Sequence, residues 1–73
     1  MVYDYTLLNN KIKEVCGTHA AFARAIKRSE RAVSLKLNNK REWRQDEIRR
    51  SCKVLKLRHG DIHAYFFTPI VQN

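Results

Sequence analysis

The sequence predicts an all-α fold of five short helices, and three observations carry that prediction. Apolar residues recur at helical spacing, as in Leu8, Ile12, Val15 and Cys16, or Ile48, Cys52 and Leu55. Residues that start or stop helices fall between those runs: Gly17, Thr18, Ser29, the pair Asn38 and Asn39, and Pro69. No segment other than the tail Ile70, Val71, Gln72 and Asn73 has the β-prone character of a strand.

The first helix is expected from about Asp4 to Cys16, with Asp4 as its cap and Tyr3 stapled against Leu8 four positions into the helix. Gly17 closes it in a left-handed conformation, and Thr18 opens the second helix at once, burying Phe22, Ala23 and Ile26. Ser29 starts the third, which runs to about Asn38 with Val33 and Leu37 inward. Asn38 and Asn39 tolerate turn conformations and begin a polar loop through Lys40, Arg41 and Glu42. Trp43 interrupts that loop. Its ring either caps the core between the third and fourth helices or also extends its indole N–H to a phosphate. The fourth helix spans about Gln45 to Leu55, with Ile48, Cys52 and Leu55 inward and Arg49, Arg50 and Lys53 outward. Leu57 anchors the next turn. A fifth helix from about His59 to Phe67 turns Ile62 and Phe66 one way and is stopped by Pro69. The tail is expected either to lay an extended segment on the core or a partner, or to fray.

These elements make residues 1–73 a single domain with a short C-terminal tail, 68–73. The chain holds no repeat, no low-complexity tract, no apolar span of membrane length and no stretch resembling a signal peptide, so a cytoplasmic protein of the host cell is expected. Cys16 and Cys52 stand alone on inward positions, as small buried residues do in a reducing compartment. Cys16 with His19 and His59 with His63 have ligand-like spacing but lie too far apart in sequence for a compact zinc site. With two glycines in the chain there is no phosphate loop, and no histidine pairs with a nucleophile, so neither enzyme activity nor cofactor, metal or small-molecule substrate is expected.

Charge is the strongest compositional signal. Between Arg24 and Arg58 lie thirteen basic and four acidic residues, a net of +9, while residues 1–23 sum to zero. A basic zone concentrates polyanions and, on DNA, gains from counterion release. The zone coincides with Thr18 to Asn39, two short helices joined by a tight turn, in which Ala23 is small enough to let the helices approach closely.

That segment resembles the helix-turn-helix of the lambda-repressor-like family of phage repressors and Cro proteins, with Phe22, Ala23, Ile26, Ser29 and Val33 on the family's positions. More closely, MVYDYTLL, SERAVSLKLNNK and IHAYFFTP together resemble a family of small Cro-like proteins of Gram-positive phages. Three positions depart from the general pattern. Lys27 stands where a turn glycine is usual, Arg28 where a small apolar residue is usual, and Lys36 where the second helix is often apolar, so that Leu37 is expected to take its core role. Lys27 either holds a left-handed conformation under strain or lets the second helix run on.

The resemblance implies a sequence-specific DNA-binding regulator, a Cro-like repressor acting on operators in a lysis versus lysogeny switch. On that reading the outward face of the third helix reads bases. Arg31 would donate to a guanine, Glu30 would accept from cytosine, Ser34 would bond to several bases, and Leu35 would pack on a thymine methyl. Phosphates would be held by Thr18 and His19 at the start of the second helix, by Arg28 and Lys36, and by Lys40, Arg41 and Arg44 in the following loop. Paired half-sites on double-stranded DNA imply a homodimer, for which Tyr65, Phe67, Ile70 and Val71 form the natural interface. The alternative is a protein-interaction modulator that keeps the fold but binds and alters a phage repressor; Lys27 and Arg28 in the turn favour it.

Overall fold

The computed structural model describes residues 2–70 and is built of α1 (Thr6–Cys16), α2 (His19–Ala25), α3 (Glu30–Leu37), α4 (Gln45–Leu55) and α5 (Ile62–Phe66), with a single 3-10 turn, His59–Asp61, before α5. This is the small all-α fold that the helical spacing predicts. Tyr5, Leu8, Ile12, Phe22, Ala23, Ile26, Val33, Leu55 and Phe66 form one buried cluster drawn from every helix. Among the described residues no helix is long and apolar enough to cross a membrane.

The helix boundaries follow local chemistry. Gly17 sits at φ +84 and its N–H donates to the Lys13 carbonyl, closing α1. Thr18 Oγ1 accepts from the Ala21 N–H and Ser29 Oγ from the Ala32 N–H, each at 3.1 Å, and caps of this kind contribute about 1 kcal/mol apiece. α4 has the predicted bounds. α1 begins two residues later than expected, because Asp4 Oδ1 accepts from both the N–H and the hydroxyl of Thr6, at 2.9 and 2.6 Å, and so holds the chain in a turn before the helix. Tyr5, the residue before α1, lies in the core, while Val15, expected inward, is 45% exposed. The predicted fifth helix is shorter and is preceded by the 3-10 turn, where Asp61 Oδ2 accepts from the Arg58 N–H at 3.1 Å. Both cysteines are free. Cys52 is buried and Cys16 half-buried, and burial pushes both thiols up from their ordinary pKa.

The extended segment expected of the tail is present at its first residues. The Asp4 N–H donates to the Thr68 carbonyl at 2.7 Å and the Ile70 N–H to the Val2 carbonyl at 3.2 Å, which pairs Tyr3 with Pro69 as an antiparallel bridge. Val71, an expected interface residue, lies outside the described residues.

Candidate functional site

Two surfaces compete for function, and they are built on opposite principles. The first is the α2–turn–α3 unit. Phe22, Ala23, Ile26 and Val33 are fully buried between the helices, so the absence of a side chain beyond Cβ at Ala23 lets α2 and α3 close. The turn takes the left-handed conformation at Lys27, φ +60, and the Lys27 and Arg28 N–H groups donate back to Arg24 and Ala23 carbonyls at 3.1 and 2.9 Å. α2 therefore does not run on through Lys27.

The charges next to this turn are consumed inside the chain. Glu47, from the first turn of α4, is fully buried; its Oε2 accepts from Arg28 Nε at 2.7 Å and lies 3.3 Å from Lys36 Nζ, and its Oε1 accepts from the Arg44 N–H at 2.8 Å. Arg28 also donates to Asp46 Oδ2 at 3.1 Å, and Arg44 and Arg50 flank the same Asp46 carboxylate at 3.5 and 3.7 Å. Burial pushes the Glu47 carboxyl upward, but the Arg44 N–H, the Arg28 guanidinium and the Lys36 ammonium outweigh it and hold the group below the usual carboxylate range. Asp46 is likewise held low, with desolvation overcome by Arg28, Arg44 and Arg50.

This arrangement corrects two expectations. Lys36 is 6% exposed and points into the molecule beside half-buried Leu37, so its ammonium serves Glu47 and has no path to a phosphate. Arg28 is half-buried with all three of its nitrogens engaged, the third on the Lys27 carbonyl at 3.0 Å, and is likewise committed within the fold. Of the remaining phosphate candidates, Thr18 spends its hydroxyl on the cap, and His19 Nε2 lies 2.6 Å from Asn9 Oδ1, tying α2 to α1. Lys40, Arg41 and Arg44 are exposed. On the outward face of α3, Glu30, Arg31 and Ser34 are exposed and Leu35 is half-buried, so an acid stands beside the base and the face carries little net charge.

The second surface is a cleft of about 400 Å³ between the N-terminal arm, the α3–α4 loop and α5, and its walls are aromatic. Trp43 meets Phe66 edge-on at 5.4 Å between ring centroids, Tyr5 at 6.4 Å and Phe22 at 6.5 Å. Tyr3 meets Phe67 edge-on at 5.7 Å. The Trp43 ring thus caps the core as one of its two readings held, but its indole N–H is buried and finds no acceptor, which removes it from phosphate contact. Lys40 and Arg41 form a cationic rim. Phe67 is 40% exposed, and Val2 and Ile70 beside it are exposed too. Tyr65 packs against the core, so of the four residues expected at an interface only Phe67 and Ile70 present free apolar surface among the described residues. Nothing in the helical periodicity marks this cleft, because it is assembled from three stretches that are far apart in sequence. No three His, Cys, Asp or Glu side chains gather closely enough to hold a metal among the described residues.

Comparison with known proteins gives two findings. A family model described as "Protein of unknown function (DUF739)" matches residues 1–69. The solution structure of the modulator of repression (MOR) of the temperate bacteriophage TP901-1 from Lactococcus lactis is 51% identical, with a TM-score of 0.80, over 99% of this chain and 97% of that one. No curated protein matches the chain. Similarity of that extent to a modulator of repression overturns the expectation of a Cro-like repressor that reads operators itself. The physical reason for the error is the turn: its basic residues read as a DNA footprint in sequence, while in the fold Arg28 and Lys36 neutralise Asp46 and Glu47.

Proposed function

We propose, on the premise that the chain belongs to the phage protein family described as "Protein of unknown function (DUF739)", that it is a modulator that binds and alters a phage repressor instead of reading DNA itself. The observation that carries this reading is the 51% identity, over nearly the whole of both chains, to a protein described as a modulator of repression. The α2–α3 unit, which resembles the lambda-repressor-like helix-turn-helix, then serves as a scaffold, and the function is binding without catalysis.

The aromatic cleft is the docking surface we assign to the repressor. Tyr, Trp, Phe and Arg are the residue types that dominate binding energy at protein interfaces, and Tyr3, Trp43, Phe67 and Arg41 meet at this cleft. Its exposed Lys40 and Arg41, set beside a single acid, Glu42, favour a partner segment with an apolar anchor beside a carboxylate.

The test combines this chain with the repressor of the same phage. Light scattering after size-exclusion chromatography should give a mixed complex, and the repressor's mobility shift on operator DNA should change when the chain is added. The chain alone should prefer operator no more than random duplex. Absence of a mixed complex, or an operator-selective shift by the chain alone, would sink the reading. A mass of two identical chains that falls to one in Phe67→Ser would assign the exposed Phe67 face to self-association.

A further inference from the structure

We infer that Asn39 is the positioning residue of the aromatic cleft, a clasp that fixes the Tyr3 wall against which a partner docks; this rests on the docking surface assigned above. Asn39 lies just beyond the C-terminal end of α3 in the left-handed conformation, φ +62, and its N–H donates to the Lys36 carbonyl at 3.2 Å. That backbone turns its carboxamide onto the N-terminal arm. Oδ1 accepts from the Tyr3 N–H and Nδ2 donates to the Tyr3 carbonyl, each at 2.9 Å, across 36 residues of sequence.

The pair of bonds copies what a neighbouring strand would provide. The arm already has a partner on its other edge, where the Val2 carbonyl and Asp4 N–H are taken by Ile70 and Thr68. The Tyr3 N–H and carbonyl point the opposite way, toward Asn39, so a single side chain completes the pairing of the arm. The acceptor bond and the donor bond of the carboxamide are both part-buried, and among the described residues no other group bonds the Tyr3 backbone. The Tyr3 ring in turn stands edge-on to the exposed Phe67 and 6.3 Å from Tyr5, so the arm's position sets where two walls of the cleft stand. A purely structural asparagine at a left-handed position needs only its backbone conformation. This one also spends both ends of its side chain on a distant segment that bears the binding wall.

The left-handed backbone makes the test clean, since glycine adopts φ +62 without strain and Asn39→Gly removes the carboxamide while sparing the turn. Repressor affinity is measured by titration calorimetry, Tyr3 amide exchange by NMR, and helix content and melting by circular dichroism. With two hydrogen bonds lost, the Tyr3 amide should exchange about tenfold faster or more, and repressor affinity should fall by about tenfold, with helix content unchanged. Asn39→Asp keeps the acceptor for the Tyr3 N–H but sets a carboxylate against the Tyr3 carbonyl, and should lose affinity as well. An unchanged Tyr3 exchange rate in Asn39→Gly overturns the clasp. Faster exchange with unchanged affinity overturns its role in positioning. A parent protein that fails to bind repressor overturns the function reading instead, and the Tyr3 exchange rate still decides whether Asn39 holds the arm.

Discussion

The turn between α2 and α3 and the cleft beside α5 differ in how their polar groups are satisfied. At the turn, Arg28, Lys36, Arg44 and Arg50 converge on two carboxylates at the start of α4, and the charges close on one another. At the cleft, a buried indole N–H has no acceptor, Phe67 stands half in solvent, and the rim cations Lys40 and Arg41, although Glu42 lies beside them, form no ion pair among the described residues. A surface whose polar needs are met internally has little to gain from a ligand, whereas exposed aromatic and cationic side chains gain from a partner that covers the rings and supplies a carboxylate. On the proposed function, net charge alone ranks the two surfaces the wrong way round.

The largest effect should come from breaking the closed network. Glu47→Ala leaves the Lys36 ammonium in the interior without its counter-ion, a change worth roughly 3–5 kcal/mol and close to the whole stability of a domain this small. Urea unfolding followed by circular dichroism should show a largely unfolded variant. Replacing both partners, Glu47→Leu with Lys36→Met, should restore most of the loss, because no charge is then buried alone. The pH dependence has a definite sign. Asp46 and Glu47 are held below their unfolded pKa values, so their contribution is present above the ordinary carboxylate range and is lost as pH falls through their lowered values, below about pH 4. A Glu47→Ala variant as stable as the parent would break the comparison at its first term.

The next largest effect should fall on binding. Phe67→Ser removes an exposed ring at the mouth of the cleft and should cost about 2 kcal/mol of repressor affinity, roughly thirtyfold, with helix content retained. Arg31→Ala, on the outward face of α3 and outside the cleft, should change affinity by less than about threefold, as contacts away from a binding hot spot do. Titration calorimetry on both variants separates the surfaces. An equal loss at both would move the interface onto α3, and loss of helix in Phe67→Ser would return that ring to the core.

How much of this was legible in sequence depends on whether the signal was local. Thr18 and Ser29 announce helix starts through their hydroxyls, Gly17 and Asn39 announce helix ends through their ease with positive φ, and each acts where it was read. Phe22, Ala23, Ile26 and Val33 follow helical spacing into the core. Lys36 was judged by its own polarity, which points a charged residue outward to a phosphate, and Glu47 was not singled out at all, although two opposite charges can enter the interior together. Val15 was placed inward by its spacing from Leu8 and is exposed, while Tyr5, which that spacing did not single out, is buried. The cleft was invisible for a different reason. Tyr3, Trp43 and Phe67 were read singly as staple, cap and interface, and no periodicity joins an arm, a loop and a helix end.

The smallest effect should come from the turn itself and tests whether its geometry matters beyond stability. Lys27 holds φ +60, a conformation that costs a residue with a side chain roughly 1–2 kcal/mol, and glycine takes it without that cost. Glycine's greater freedom in the unfolded chain returns about 0.4–1 kcal/mol of the gain. Lys27→Gly should therefore raise the melting temperature by a few degrees, given about 4–8 °C per kcal/mol for a domain of this size. Lys56, at φ +58 after α4, poses the same problem and should respond in the same direction, whereas Lys27→Ala keeps the strain and should gain nothing. Because the exposed Lys27 side chain lies outside the cleft, repressor affinity should be unaltered in Lys27→Gly. A rise in melting temperature joined to a loss of affinity would mean that the lysine ammonium contacts the partner, and that the turn is part of the interface after all.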